Sequence, residues 1–291
     1  VYSTLVIAYL FLGGAASGAF LVMASWSLAF HKQYPLRSER PREYFRALKA
    51  RVYAVSTVLL VLALICLLWD LKRPDRALLI FLKPHATPLT FGAYTLALLL
   101  LIGVVLMLAN VFHLQPLRGR VKQILEIACI PFALAAMSYT GVFLYSNISI
   151  AFWHTWSLVG LFLFSSLSSG LCVVMLVDYF SHGQTRHLQA VRPLQRIHLA
   201  CLVAEGVFIA AFVMCVFANT NAAASVASLM STNYLPAAVI GVIGFGLVIP
   251  FALETYALRC TETRAIPLSD FICLLGALCL RWIIMMCGMC L

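Results

Sequence analysis

An all-α membrane bundle of eight transmembrane helices, with both termini on the outer side, is the fold class that this sequence predicts. The first observation is compositional. The 291 residues are 63% hydrophobic and 10% charged, with a mean hydropathy of +1.00, where a soluble domain is about a quarter charged. The second is periodic: apolar runs of about 20 residues, the length a helix needs to cross a hydrocarbon core about 30 Å thick, recur along the chain. The third is that these runs are unbroken rather than alternating, which argues against a transmembrane barrel.

The runs fall at about Leu5 to Phe30, Val52 to Trp69, Leu89 to Phe112, Ile124 to Tyr145, Trp156 to Tyr179, His198 to Phe217, Leu235 to Tyr256 and Pro267 to Leu291. The first is too long for a signal-peptide core and has no charge before it, so it reads as a retained span without a cleaved leader. No polar stretch between spans is long enough to fold by itself. The chain therefore reads as one transmembrane domain, 1–291, divisible into two four-helix halves at about 1–150 and 151–291.

Lys and Arg set the orientation. Loop one carries seven (Lys32, Arg37, Arg40, Arg42, Arg46, Lys49 and Arg51), and the odd loops together carry fifteen. Loop two carries four (Lys72, Arg73, Arg76 and Lys83), and loops four and six carry none. The positive-inside rule then puts the odd loops in the cytoplasm. A net charge of +10 in a soluble protein would suggest nucleic acid, but here the basic residues sit in short interhelical loops, so nucleic acid is excluded as a partner.

Loop two is basic against that bias. In Trp69 to Phe81, "WDLKRPDRALLIF", charges crowd together directly after an apolar run. Lys72, Arg73, Asp75 and Arg76 there suit a docked extramembrane partner, anionic lipid, or local ion pairs that include Asp70.

Ionisable groups inside spans are costly and are usually functional or paired. Arg281 lies about 14 residues, or about 21 Å, into the eighth span. It should face the bundle and find a partner, for which Asp70 at the outer end of the second span is available. Glu205 sits about two turns into the sixth span from the cytoplasmic side, where its charge needs water, a proton or a partner. Glu126, Glu254 and Asp270 fall near the cytoplasmic ends of spans four, seven and eight, where interfacial solvation would suffice; with Glu205 they could also line an inner proton route. Tyr139 lies in the outer third of the fourth span beside Gly141, and a phenol next to a glycine can meet a flat ring and hydrogen-bond a carbonyl oxygen. Asp70, Tyr139 and Arg281 thus share one outer depth.

Haem ligation needs histidines well inside helices, whereas His31, His85, His113, His154, His182 and His187 lie in loops or at helix ends and His198 opens the sixth span. No haem is expected. No metal cluster, phosphate-binding loop or nucleophile triad is visible. Of the ten cysteines, most lie within apolar runs, where Cys behaves as a small hydrophobe. The pair Cys287 and Cys290 has a metal-like spacing, but two thiols cannot fill a four-thiolate site.

"WDLKRPDRALLIF", "TPLTFGAYTL" (Thr87 to Leu96), "YTGVFLYS", "LFLFSSLSSG" (Leu161 to Gly170) and "LLGALCLRWIIMMCG" (Leu274 to Gly288), in that order, resemble the NrfD or polysulfide-reductase-type family of membrane subunits, along roughly the whole chain. The resemblance implies a haem-free anchor that binds quinone or menaquinone in the cell (inner) membrane. It also implies a ferredoxin-like iron–sulfur subunit docked on the outer, periplasmic face and a catalytic molybdopterin subunit, with the clusters and the molybdopterin held only by those partners. By motif, Tyr139 matches the tyrosine that hydrogen-bonds the quinone, and Asp70 matches an acidic or histidine position at the end of the second span. Dimethyl sulfoxide reductase anchors resemble the chain but carry His at that position, and Thr90 stands where a more acidic side chain can occur. Quinol oxidation would then involve Asp70 and Arg281 in proton handling, Tyr139 and Thr90 in binding, Glu205, Glu126 and Glu254 in a proton route, and Lys72, Arg73, Asp75 and Arg76 in docking. Two other classes fit the composition: a transporter centred on Glu205 and Arg281, with Gly241, Gly244, Gly246 and Pro250 breaking the seventh span, and a passive anchor.

Overall fold

The computed structural model describes residues 4–33, 39–70, 87–112, 119–181, 188–219, 222–231, 234–259 and 267–289. All are helical or in short turns, with no strand among them. In chain order the helices are α1 (Thr4–Gln33), α2 (Glu39–Asp70), α3 (Pro88–Val111), α4 (Arg120–Tyr145), α5 (Trp156–Phe180), α6 (Leu188–Ala218), the short α7 (Ala223–Leu229), α8 (Ala237–Arg259) and α9 (Pro267–Met289). Among the described residues, every helix but α7 is long and apolar enough to cross a membrane, which gives the eight spans that the sequence predicts. The chain is a multi-pass membrane protein.

Boundaries follow local chemistry. Pro88 opens α3, where its missing N–H is no loss, and Thr87 caps it, its side-chain oxygen accepting from the Thr90 amide at 3.3 Å. Gly119 precedes α4 at φ +77°, a left-handed conformation open to glycine. In α8 the expected break does not occur. Residues Ala237–Val248 wind as a wide π-helix and pass directly into α-helix at Ile249; Gly246 there lies against Gly276 of α9, so the glycines serve close packing.

Small residues also set the centre of the bundle. α1 packs against α2, α4, α5 and α9, and at its crossing with α5 Gly18 meets Gly170 backbone to backbone, so that a methyl on either would collide. Lipid tails are as apolar as the helices themselves, so close van der Waals approach of this kind, rather than the hydrophobic effect, holds membrane helices together. Leu101, Ile124, Met214 and Tyr256 point outward, as lipid-facing side chains do.

Two ends of the sequence reading change. α2 begins at Glu39, well before the predicted Val52, so Lys49 belongs to a span rather than a loop and is only 3% exposed. Cys287 is buried near the end of α9, where Gly288 makes room for the ring of Trp153; Trp153 in turn donates its indole N–H to the Ile284 carbonyl at 2.9 Å. Cys290 lies outside the described residues.

Candidate functional site

Polar side chains inside the bundle gather in four places. The first is at the end where α2 finishes, α3 begins and α4 finishes. Asp70 is the last residue of α2 and half-buried, and Thr90 stands in the first turn of α3 with its hydroxyl 2.9 Å from that of Thr87. Tyr139, 5% exposed, lies within the last two turns of α4. The glycine that serves its ring is not the neighbouring Gly141, which abuts Val159, but Gly92 of α3, where any side chain would run into the Tyr139 ring. Beside Tyr139 is Tyr9 of α1, 4% exposed. The two phenol hydroxyls meet one another inside the bundle.

Arg281 occupies the second place. It is fully buried, and its guanidinium donates to the Leu10 carbonyl (3.2 Å), the Ala277 carbonyl (2.9 Å), Ser165 Oγ (3.2 Å) and Ser166 Oγ (3.0 Å). Phe11 and Phe162 lie 5.8 and 5.7 Å from it, near enough for cation–π contact. Gly14 leaves the space: a methyl there would come within 2.8 Å of Nη2. The carboxylate that acts on Arg281 is Glu205, where the sequence had offered Asp70. Ser165 also hydrogen-bonds Glu205, so it bridges the cation and the acid. Leu10, which accepts from Arg281, follows Tyr9, so one turn of α1 joins this network to the Tyr139 end.

The inner acids do not form a single row. Glu126 pairs with Lys49 and accepts from Ser27 at 2.9 Å, while Lys49 donates to Ser27 at 2.5 Å. A cavity of about 310 Å³, lined by Lys49, Arg120, Lys122, Gln123 and Glu126 among others, reaches this pair. Glu254 instead makes a short contact with His198 Nδ1, and Asp270 lies in the same group. All four acids are buried, Glu126, Glu205, Glu254 and Asp270 being 2%, 5%, 1% and 4% exposed, so interfacial solvation does not account for them.

The other ring nitrogen of His198 faces sulfur. Cys172 Sγ and Cys273 Sγ lie 3.4 and 3.6 Å from Nε2, and Ser168 Oγ lies 2.9 Å from it. Sequence reasoning missed this fourth place, reading Cys172 and Cys273 as small apolar residues and seeing no metal cluster. Nothing in the local sequence signals it, because the three side chains come from α5, α6 and α9. Gly14, Ser165, Ser166 and Tyr9 were also missed, although the serines fall within "LFLFSSLSSG". The proposed docking residues Lys72, Arg73, Asp75 and Arg76 lie outside the described residues.

No curated protein matches the chain. A family model described as "Polysulphide reductase, NrfD" matches residues 1–291, the whole chain, and the chain belongs to the NrfD family.

Proposed function

We propose that this NrfD-family subunit is a haem-free quinone-binding anchor, exchanging electrons between the quinone or menaquinone pool and an iron–sulfur subunit of a respiratory oxidoreductase. The buried pair of phenols, Tyr9 of α1 beside Tyr139 of α4, carries the reading. Two phenols aimed into one buried spot fit a ligand that is flat, apolar and edged with carbonyl oxygen, since each can donate one hydrogen bond while its ring packs on carbon. Asp70 and Thr90 end the neighbouring helices on the same side, near enough in topology to receive or orient a proton.

Bound quinol supplies two electrons and two protons. The protein's own groups divide the remaining work. Tyr139 and Tyr9 hold the ring oxygen, Gly92 keeps the ring of Tyr139 in place, and Asp70 takes up a proton at its carboxylate. Arg281 fixes the positive field behind the site through α1 and through Ser165. Of the inner acids, Glu126, reached by the cavity beside Lys49, serves proton exchange toward the odd-loop side, while Glu205 and Glu254 belong to separate groups around Arg281 and His198. The iron–sulfur subunit, and with it a molybdopterin catalytic subunit, docks on the outer face of the inner membrane against Lys72, Arg73, Asp75 and Arg76, which accounts for basic charge on a loop where topology does not ask for it.

The test is binding of a fluorescent quinol-site inhibitor to the purified subunit with the proteins that co-isolate, followed by quenching. Tyr139→Phe should weaken it by about 2–13-fold, the loss of one hydrogen bond worth about 0.5–1.5 kcal/mol. Asp70→Asn should slow quinol-dependent turnover while leaving assembly intact. Absence of saturable binding to an intact, folded complex would reject the reading.

A further inference from the structure

We infer that Cys172, Cys273 and His198 form a buried binding site for a thiophilic divalent metal ion, with zinc the best fit. Their ligand atoms, two Sγ and one imidazole nitrogen, all lie within 4.8 Å of one another. A tetrahedral zinc with Zn–S of about 2.3 Å and Zn–N of about 2.0–2.1 Å holds its sulfur and nitrogen ligands about 3.6 Å apart. The two sulfurs stand 3.4 and 3.6 Å from His198 Nε2, so the side chains are already at ligand spacing. Ser168 Oγ, hydrogen-bonded to Nε2 at 2.9 Å and 3.4 Å from Cys273 Sγ, is an oxygen beside these atoms that would shift slightly to become a fourth ligand.

The surroundings agree with this assignment. Metal-bound histidines usually give their second N–H to a carboxylate, which fixes the tautomer and leaves the other nitrogen to the metal; His198 Nδ1 meets Glu254 in this way. That contact is too close to hold an ion between Nδ1 and Glu254, so the sulfur side is the site and Glu254 the residue that orients the ring. Cys172 and His198 are 0% exposed and Cys273 2%. In so dry a place, charge must cancel locally. Two thiolates neutralise one divalent ion, and binding releases their two protons to water. Two sulfurs with nitrogen in tetrahedral array select zinc over magnesium or calcium, which prefer oxygen.

The site joins α5, α6 and α9, and its Glu254 draws in α8; along α5 it lies within two turns of the serines that Arg281 meets. It does not depend on the quinone reading. Its function is to clamp the second half of the bundle.

The experiment is elemental analysis of the full chain purified from membranes with its co-isolating partners, without chelator, comparing wild type with Cys172→Ser/Cys273→Ser. About one equivalent of zinc per chain, lost in the double variant, is the expected result. Glu254→Gln should weaken zinc about 10–100-fold in a chelator competition. Because the double variant can fail to fold, wild-type protein stripped by chelator is also titrated with Co2+, whose thiolate charge-transfer absorption reports sulfur ligation directly. Zinc retained in the double variant, or wild type that neither contains zinc nor gives that absorption, would overturn the site.

Discussion

Two buried base–carboxylate pairs invite comparison. Lys49–Glu126 joins α2 to α4, with Ser27 of α1 between them, and His198–Glu254 joins α6 to α8. Both are nearly inaccessible to solvent, and both lie toward the odd-loop ends of their helices. Their neighbours differ. Around Lys49 are hydroxyl and charge, with a cavity lined by Arg120 and Lys122 leading to the pair; around His198 are two thiols and a serine. Similar chemistry at similar depth thus faces a polar cavity in one case and sulfur in the other. A neutral imidazole still offers one donor and one acceptor nitrogen on opposite sides of its ring, whereas a lysine directs all its hydrogen bonds from a single nitrogen.

The largest contrast expected from this difference is in access. Gln123→Cys, on the cavity wall, should react with a water-soluble maleimide at least about two orders of magnitude faster than Cys172 or Cys273, since a buried thiol must await a local opening that costs several kcal/mol; peptide mass spectrometry reads each site. Equal rates would erase the distinction between a pair beside a cavity and an enclosed one.

Next in size is stability. Glu126→Ala strands the Lys49 ammonium and should cost about 3–5 kcal/mol, while Lys49→Met/Glu126→Leu, which removes both charges, should recover most of the loss. Glu254→Ala leaves His198 able to stay neutral and bonded through Nε2, so about 1–3 kcal/mol is expected. Thermal unfolding midpoints in one detergent order the three, and an equal or reversed order of the two alanine variants would break the comparison. The smallest effect belongs to Ser165→Ala. Arg281 keeps its bonds to Leu10, Ala277 and Ser166, so a loss of about 0.5–1.5 kcal/mol is expected; a collapse of folding would show that the link to Glu205 matters more than the carbonyl bonds.

How far these places were legible depends on the range of each interaction. Arg281, Glu205 and Tyr139 stood out because a charge or a phenol in an apolar run is conspicuous by itself. Lys49 did not, since it precedes the apolar part of α2 and counts as loop charge until the helix start at Glu39 is known. Gly92 was hidden for a different reason: the ring it accommodates belongs to another helix. The thiol pair was least legible, because its two members read as ordinary apolar positions in separate spans.

The sequence by itself determined that the chain crosses a membrane as helices and where its eight spans lie, because hydropathy is summed along the chain and each helix satisfies its own backbone hydrogen bonds. Its motifs also pointed to the NrfD family, which the family model matches over the whole chain. Only the tertiary structure decided which polar groups meet: that Arg281 answers to Glu205 through Ser165, that Glu126 takes Lys49, and that Cys172, His198 and Cys273 converge. Those choices follow from the rotation of each helix about its axis, which is set by close contacts such as Gly18 on Gly170 and Gly246 on Gly276. No apolar run records that rotation, since every face of it is equally soluble in lipid.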